Sequence, residues 1–302
     1  MKILITGANG LLGQKLVKLF LANSGYNIIA TSQNSARFDT NVDKLDFHQL
    51  DIIKPDDILE LIQISRPDVI IHTAAITQVD DCELNPDNCW KVNVEGTRNM
   101  AMAARDIGAF LIHLSTDFVF DGENGPYCET DETNPISKYG ESKLESESIV
   151  QSILERYAIV RTVLVYGYLS DMTRSNIVLW VKNSLEKGEE IRVVTDQLRT
   201  PTLAEDLAMG CKLIADLKET GIFHISGKDL LSPYDMAIQT ARYFMLDEGL
   251  IRKANAGNFT QDAKRPPRTG FIIDKAKSIL GYKPRSFEEG LGFTKKQMDH
   301  SQ

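Results

Sequence analysis

The chain has 302 residues, of which 42% are apolar and 25% charged, as in globular enzymes with one large domain or two smaller ones. Its formal net charge of -8 argues against nucleic acid and anionic membranes as partners, since both require a basic surface. No apolar run reaches the ~18 residues of a membrane span, and the first residues do not form a signal peptide. We therefore expect a cytoplasmic protein without a nucleic-acid or membrane partner.

Four cysteines are present, and none of them forms a C-x-x-C pair or has a histidine at metal-ligand spacing. The sequence therefore predicts buried free thiols in a reducing compartment and no metal site. The cysteines are Cys82, Cys89, Cys128 and Cys211.

A short apolar run at residues 2–6 predicts a buried parallel strand, and a glycine-rich turn and a helix follow it. The glycines permit a tight turn, close approach of a pyrophosphate and close packing of the helix on the strand. This arrangement predicts a dinucleotide site, with a structural glycine turn as the alternative. The expected cofactor contacts in this turn are Gly7, Asn9, Gly10, Leu11, Leu12 and Gly13.

The second predicted strand, residues 27–31, is not followed by the acid that an NAD-preferring site would place on the ribose hydroxyls. Ser32 comes next instead, and Arg37 lies shortly after it. An uncharged strand end followed by arginine suits a 2′-phosphate. We therefore expect NADPH, with NADH as the alternative if Arg37 is only a solvated loop residue.

Further strands are predicted at residues 47–50, 69–72 and 110–114, with helices between them. This alternation predicts an α/β fold with a doubly wound parallel, Rossmann-like sheet and a smaller α/β substrate domain. Ligands of such sheets lie at the carboxyl ends of the strands. The cofactor domain is expected at 1–165 with about 196–225, and the substrate domain at about 166–195 and 226–302. These strands are followed by the acid Asp51 with Ile52 after it, by the small residues Ala74 and Ala75, and by the polar residues Thr116 and Asp117.

In the second half of the chain, a helix is predicted from Asn176, and two helices are predicted within residues 226–302. The basic run Lys264–Arg268 reads most simply as a solvated loop. In a chain of net charge -8 it is also a candidate diphosphate site, through Arg265 or Arg268.

A helix is predicted over Glu141–Arg156, directly after Tyr139 and Gly140. Tyr139 and Lys143 are four residues apart, so on a helix they share one face. An ammonium beside a phenol favours the phenolate, which predicts a lowered pKa for Tyr139 and a role in proton transfer. The alternative is a chance spacing in an ordinary helix.

Together these motifs, with Asn93 in the helix predicted from Asn85–Pro86, resemble an extended short-chain dehydrogenase/reductase over the whole chain. Residues 115–122, Pro201–Thr202 and Arg265–Pro266 resemble the dTDP-4-dehydrorhamnose reductase family. The resemblance implies reduction of the 4-keto group of dTDP-4-dehydro-L-rhamnose, a nucleotide-sugar substrate.

The resemblance also implies roles for individual residues. Tyr139 would be the acid, and Lys143 would lower its pKa and hold the nicotinamide ribose. Thr116 would bind the carbonyl oxygen, and Asn93 would support the proton relay. Asp51 and Ile52 would flank the adenine, and Ala74 and Ala75 would lie against the cofactor. The expected substrate contacts are Thr116, Asp117, Phe118, Asn176, Arg265 and Arg268.

The chain departs from the family pattern in two places near the sugar, because Phe118 replaces a common tyrosine and Leu164 a frequent tryptophan. Lys15 stands where some members have a metal-binding glutamate at a dimer interface, so no such site is expected, and a homodimer is left open. Two alternatives remain: another nucleotide-sugar reductase or epimerase, and a non-catalytic subunit like the regulatory β subunit of methionine adenosyltransferase.

Overall fold

The computed structural model describes residues 1–172 and 175–300. Apolar runs of four to seven residues form its main strands, because strands covered on both faces need apolar side chains on both. The strands are β1 (Lys2–Thr6), β2 (Asn27–Ser32), β3 (Leu45–Gln49), β4 (Val69–His72), β5 (Phe110–Thr116), β6 (Tyr157–Thr162), β7 (Val165–Tyr166), β8 (Ile191–Val194), β9 (Thr202–Leu203), β10 (Gly221–His224) and β11 (Ile251–Ala254).

The helices alternate with these strands, and most of them have one buried face. They are α1 (Leu11–Leu21), α2 (Pro55–Ser65), α3 (Val79–Leu84), α4 (Pro86–Trp90), α5 (Gly96–Ile107), α6 (Lys138–Ile153), α7 (Ile177–Glu186), α8 (Ala204–Leu217), α9 (Pro233–Phe244), α10 (Asp274–Leu280) and α11 (Phe287–Asp299).

Seven strands form one parallel sheet in the order β10, β6, β5, β4, β1, β2, β3. The chain order reverses between β1 and β4, and a ligand crevice is expected at such a switch point. Alternate residues of β1 serve different cores: Ile3 and Ile5 face the core with α1 and α8, and Leu4 faces the core with α2 and α5. The predicted doubly wound parallel sheet is confirmed.

A smaller unit contains β8 paired in parallel with β11, and apolar residues of α7 and α9 pack against this pair. The sequence predicted two helices after residue 226, but the described part of that region contains three, α9 to α11. Phe271, Ile273 and Leu280 join the core of the large sheet, although residues 226–302 were assigned to the substrate domain. The proposed division into domains stays a prediction.

Candidate active site

The amino end of α6 brings Tyr139 and Lys143 to the end of β5. The Ser137 hydroxyl caps the helix by accepting a hydrogen bond from the Gly140 amide at 3.2 Å. A Cβ on Gly140 would lie 2.2 Å from the Phe118 carbonyl oxygen, so glycine permits this approach of helix to strand end. Tyr139 and Lys143 are both buried on α6, and the predicted helix is confirmed, although it begins and ends three residues earlier than predicted.

Tyr139 packs edge-on against Phe118, with ring centroids 5.8 Å apart. Burial raises the pKa of Tyr139 to about 12, and a hydrogen bond with the Thr116 hydroxyl offsets part of that rise. This direction is opposite to the predicted lowering by Lys143. Burial, and not the Lys143 charge, is thus the largest influence on the pKa of Tyr139.

The Lys143 ammonium instead contacts His113, with 3.3 Å between Nζ and Nε2. Burial lowers the pKa of Lys143 to about 8, against the opposing effect of the Glu147 carboxylate one turn further along α6. The ammonium therefore lies in an environment that favours loss of a proton near neutral pH.

Sequence reasoning missed two neutral histidines beneath Lys143. His72 and His113 are register partners on β4 and β5, and their rings stack with centroids 5.5 Å apart. Burial lowers the pKa of His72 to about 3 and that of His113 well below its ordinary value. His72 contacts the hydroxyls of Thr6 at 2.8 Å and Thr97 at 3.2 Å. The sequence contained one signal for this pair, because the two predicted strands 69–72 and 110–114 each have a histidine near the carboxyl end.

Thr116 and Asp117 end β5 next to Tyr139. The Thr116 hydroxyl donates to Asp117 Oδ1 at 3.1 Å and accepts from the Phe118 amide at 3.2 Å. Burial raises the pKa of Asp117, although Arg199 and the hydroxyls of Thr269 and Thr116 act in the other direction. The strand end thus offers a hydroxyl and a buried carboxyl at the predicted position.

Asn93 lies in a π-helical turn, Lys91–Glu95, that joins α4 to α5. Its side-chain amide accepts from the Ile76 amide at 2.8 Å and donates to the Ile76 carbonyl at 3.0 Å. It also donates to the Ser142 hydroxyl at 3.0 Å. Asn93 therefore fastens the loop after β4 to α6. Such π turns often occur at functional sites, and the sequence predicted only an uninterrupted helix.

The expectation that all cysteines are free thiols was wrong for two of them. Cys82 on α3 and Cys89 on α4 form a disulfide, and both are buried beside Tyr139. The Asn93 amide lies 3.4 Å from Cys89 Sγ. The kink at Asn85–Pro86 brings the two short helices together, which a spacing of seven did not reveal.

The glycine turn has the form that a pyrophosphate requires. Gly7 has a positive φ of 68°, and a Cβ there would lie 2.9 Å from the Ala74 amide nitrogen. A Cβ on Gly13 would lie 2.3 Å from the Gly7 carbonyl oxygen, so α1 can approach the turn this closely only with glycine at position 13. Gly10 caps α1 without a side-chain hydrogen bond, which leaves first-turn amides for an anionic ligand. These residues fit a nicotinamide dinucleotide.

Asn9 links the glycine turn to the loop after β2. Its side chain donates to the Ser35 carbonyl at 2.8 Å and accepts from the Arg37 amide at 3.0 Å. This contact brings the exposed Arg37 near the turn, and Ser32 ends β2 at the same edge of the sheet. Asp51 contacts Gln33 of this loop at 3.2 Å. The other predicted cofactor residues lie at the carboxyl ends of the strands as well. The first residues of α1 are Leu11 and Leu12, the segment after β3 contains Ile52, and the segment after β4 contains Ala74 and Ala75.

The predicted substrate residues differ in how they are engaged. Arg265 forms a two-point ion pair with Asp80, with 2.5 Å between the nearest atoms, whereas Arg268 is exposed. Asn176 caps α7 and donates to the Gly167 carbonyl at 2.7 Å. Leu164 is 39% exposed at a left-handed φ of 37°, a conformation that costs about 1–2 kcal/mol for L-residues.

Lys15 makes buried contacts with protein oxygens. Its ammonium lies 2.7 Å from Glu205 Oε1 and donates to the Tyr168 carbonyl at 2.6 Å. Within the described residues, no group of three His, Cys, Asp or Glu side chains could hold a metal ion.

Over residues 1–172 and 175–300, no helix is long and apolar enough to cross a membrane.

The parallel sheet, the glycine turn at its switch point and the Tyr139–Lys143 pair on α6 define an extended short-chain dehydrogenase/reductase. The family model described as RmlD substrate binding domain matches residues 1–299, and the chain belongs to that family. It is an NAD(P)-dependent oxidoreductase of the nucleotide-sugar reductase type, as the sequence predicted.

Known proteins agree with this assignment over nearly the full length. A dTDP-4-dehydrorhamnose reductase of Aggregatibacter actinomycetemcomitans is 32% identical, covering 96% of this chain and 97% of the relative. The crystal structure of such a reductase from Clostridium acetobutylicum has a TM-score of 0.89 and 34% identity, covering 99% of this chain and 100% of that one. One from Bacillus anthracis, in complex with NADP, has a TM-score of 0.84 and 29% identity, covering 98% and 99%.

The methionine adenosyltransferase 2 subunit beta of Bos taurus is also 32% identical, over 83% of this chain and 74% of the relative. The alternative of a non-catalytic regulatory subunit, which the sequence left open, is therefore also represented among the relatives.

Proposed function

We propose that the protein reduces the 4-keto group of dTDP-4-dehydro-L-rhamnose with NADPH, giving dTDP-L-rhamnose. The observation that carries this proposal is that Thr116, Tyr139 and Lys143 are all buried where the amino end of α6 meets the end of β5, in a sheet whose β1 ends in the glycine turn. Relatives that carry the name dTDP-4-dehydrorhamnose reductase support the choice of substrate.

When bound, the nicotinamide supplies a hydride to the carbonyl carbon. Tyr139 gives its proton to the oxygen, which becomes a far stronger base than a phenolate as the hydride arrives. A pKa of about 12 keeps Tyr139 protonated and ready to act as the acid. Thr116 donates a hydrogen bond to the same oxygen, since a donor placed there stabilises the developing charge.

Lys143 is assigned to the ribose and to Tyr139, which requires its ammonium to leave His113. Asn93 holds the loop after β4 and the start of α6 in place, and that is the support a relay through Lys143 would need. Gly7, Gly10 and Gly13 admit the pyrophosphate, and Arg37 is assigned to the 2′-phosphate.

For the substrate, Phe118 and Leu164 are assigned to the sugar and Arg268 to the diphosphate. Arg265 can contribute only if its ion pair with Asp80 opens. Asn176 is expected near the nucleotide, with its side chain engaged as a helix cap.

The test is oxidation of NADPH with dTDP-4-dehydro-L-rhamnose by the wild type and by Tyr139→Phe. Loss of a general acid should lower turnover by ~10²–10⁴-fold, while NADPH still binds. Tyr157→Phe is the matched control, because Tyr157 lies at the amino end of β6, away from the carboxyl ends of the strands where the site lies. This variant should have the turnover of the wild type. Normal turnover by Tyr139→Phe would refute the assignment of the acid. No turnover by the wild type, where a known reductase is active, would refute the substrate.

The cofactor is tested by dissociation constants for NADPH and NADH. A phosphate–arginine contact contributes roughly 1.5–3 kcal/mol, so Arg37→Ala should weaken NADPH binding about 10-fold to 100-fold and leave NADH unchanged. Arg105→Ala, whose arginine pairs with Asp106 at the far end of α5, is the control. Equal affinities of the wild type for both cofactors would contradict the proposed preference.

The second candidate is an NADP-binding regulatory subunit, and the similarity to the methionine adenosyltransferase β subunit favours it. Stable co-purification with a methionine adenosyltransferase, without sugar-dependent NADPH oxidation, would support this candidate over the first. A homodimer and a cytoplasmic location stay predictions.

A further inference from the structure

Asp117 has protein partners on both of its carboxylate oxygens. Its side chain is only 4% exposed, so an ionised carboxylate there needs such partners. Oδ1 accepts from the Thr116 hydroxyl, and Oδ2 accepts from the Thr269 hydroxyl. Arg199 Nε lies 3.7 Å from Oδ2. The two oxygens therefore face different regions of the chain, one toward the reacting groups and one away from them.

Thr269 belongs to a C-terminal segment that is held firmly in place. Its amide donates to the Leu198 carbonyl at 3.1 Å, and the Leu198 amide donates to the Pro267 carbonyl at 2.8 Å. The buried Arg199 guanidinium donates to the carbonyls of Pro266 at 2.6 Å and Pro267 at 3.1 Å. Thr269 itself is fully buried. The segment thus presents one hydroxyl, at one position, to Asp117.

The Thr116 hydroxyl has a single hydrogen, and in this structure Asp117 accepts it. The proposed reaction needs that hydrogen on the substrate oxygen instead. Thr269 and Arg199 compete for the charge of the carboxylate at Oδ2, and they determine how the carboxylate plane faces Thr116. Without the Thr269 donor, Oδ1 would bind the Thr116 hydrogen more strongly, and the plane could turn.

We propose that Thr269 and Arg199 are positioning residues that act on Thr116 through Asp117. This inference rests on the role proposed for Thr116 in binding the carbonyl oxygen. It also changes the expected role of Asp117, which orients a catalytic hydroxyl and is not itself a contact to the sugar.

Thr269→Val removes the hydroxyl and keeps the shape, and Thr269→Ser keeps the hydroxyl. Loss of a direct donor to a developing oxyanion lowers turnover by about 10²–10³-fold, so a donor acting at one remove should lower kcat roughly tenfold in Thr269→Val. The Kd for NADPH should not change, and Thr269→Ser should stay within about threefold of the wild-type kcat. Thr294→Val is the control, since the buried Thr294 hydroxyl has no partner in the described part of the chain.

A double-mutant cycle with Thr116→Val separates positioning from loss of fold. If Thr269 acts through Thr116, Thr269→Val should lower kcat less than about twofold in the Thr116→Val background. A tenfold loss in both backgrounds would overturn the proposal. Equal losses in Thr269→Val and Thr269→Ser, or a Thr269→Val enzyme within twofold of wild type, would also overturn it.

A measurement without substrate keeps this inference separate from the proposed function. With methyl-labelled threonine, the Thr116 signal is assigned by its loss in Thr116→Val, and its couplings report the χ1 rotamer. One rotamer is expected in the wild type and Thr269→Ser, and averaging between rotamers in Thr269→Val. The same single rotamer in all three proteins would overturn the proposal, even if no sugar were reduced. If the wild type reduces no sugar but the rotamers behave as expected, only the proposed function fails.

Discussion

Glu147→Gln tests the buried ion pair that supports the active-site helix. Glu147 lies one turn beyond Lys143 on α6, and its carboxylate receives the Arg161 guanidinium at 2.7 Å and 3.0 Å. The Ser115 hydroxyl also donates to it, at 2.5 Å. Both charged side chains are 3% exposed, and Arg161 Nη1 has no hydrogen-bond partner among the described residues. Glutamine keeps the shape but leaves the guanidinium charge uncompensated.

Removing one partner of a buried pair costs about 3–5 kcal/mol. Glutamine still accepts a hydrogen bond, so we expect a loss of about 3 kcal/mol in the free energy of unfolding. The matched control is Glu141→Gln on the same helix, whose pair with Lys138 is 42% and 49% exposed. An exposed pair contributes about 0–1 kcal/mol, so this variant should unfold close to the wild-type midpoint.

Equilibrium unfolding in urea, followed by circular dichroism, measures both differences. Similar losses for Glu147→Gln and Glu141→Gln would show that burial does not determine the strength of these pairs, and would refute the reasoning. The substitution has a second effect with a defined sign. The Glu147 charge raises the pKa of Lys143, so its removal should lower that pKa further below about 8. Any limb of the pH profile due to Lys143 should then move to lower pH.

Three further predictions concern Lys143, the glycine turn and the disulfide. The pKa of Lys143 is about 8 in the folded chain against an ordinary 10.5, so the unfolded state binds more protons between these values and stability should rise with pH there. Between pH 7 and pH 10, the free energy of unfolding of Lys143→Met should rise about 2–3 kcal/mol less than that of the wild type. Parallel plots of unfolding free energy against pH for the two proteins would contradict this prediction. Gly13→Ala should abolish cofactor binding in titration calorimetry, since its Cβ would meet backbone, whereas Gly25→Ala has open space and should bind normally. Thiol titration of the denatured chain should find two thiols before reduction of the disulfide and four after it. Thermal unfolding should show that reduction lowers the free energy of unfolding by about 2–3 kcal/mol.

Much of the fold could be predicted because its signals are local. A parallel strand covered on both faces is an apolar run wherever it occurs, and Val69–His72 was predicted with both ends correct. Tyr139 and Lys143 were expected on one helix, and α6 contains both. The glycine spacing predicted the turn at the end of β1. Each of these conclusions needs only neighbouring residues and the period of one element.

The features that were missed depend on packing between distant segments. The ion pair of Asp80 with Arg265 joins residues 185 positions apart, and the contact of Thr269 with Asp117 joins residues 152 apart. The disulfide depends on how α3 and α4 turn at Asn85–Pro86. Sequence spacing contains no information on which of these side chains will meet, because it does not determine how the elements pack.

The pKa of Tyr139 shows why a motif is not yet a mechanism. The i,i+4 spacing predicts that the ammonium lowers the phenol pKa, but burial raises it to about 12 and the ammonium lies on His113. The two buried groups thus have pKa values moved apart, that of the phenol upward to about 12 and that of the amine downward to about 8. Both shifts have the same cause, because surroundings without water favour the neutral form of the phenol and of the amine. A bound ribose that offered Lys143 hydrogen-bond acceptors near Tyr139 would place its charge beside the phenol. The same two side chains would then favour the phenolate, and proton transfer would depend on cofactor binding.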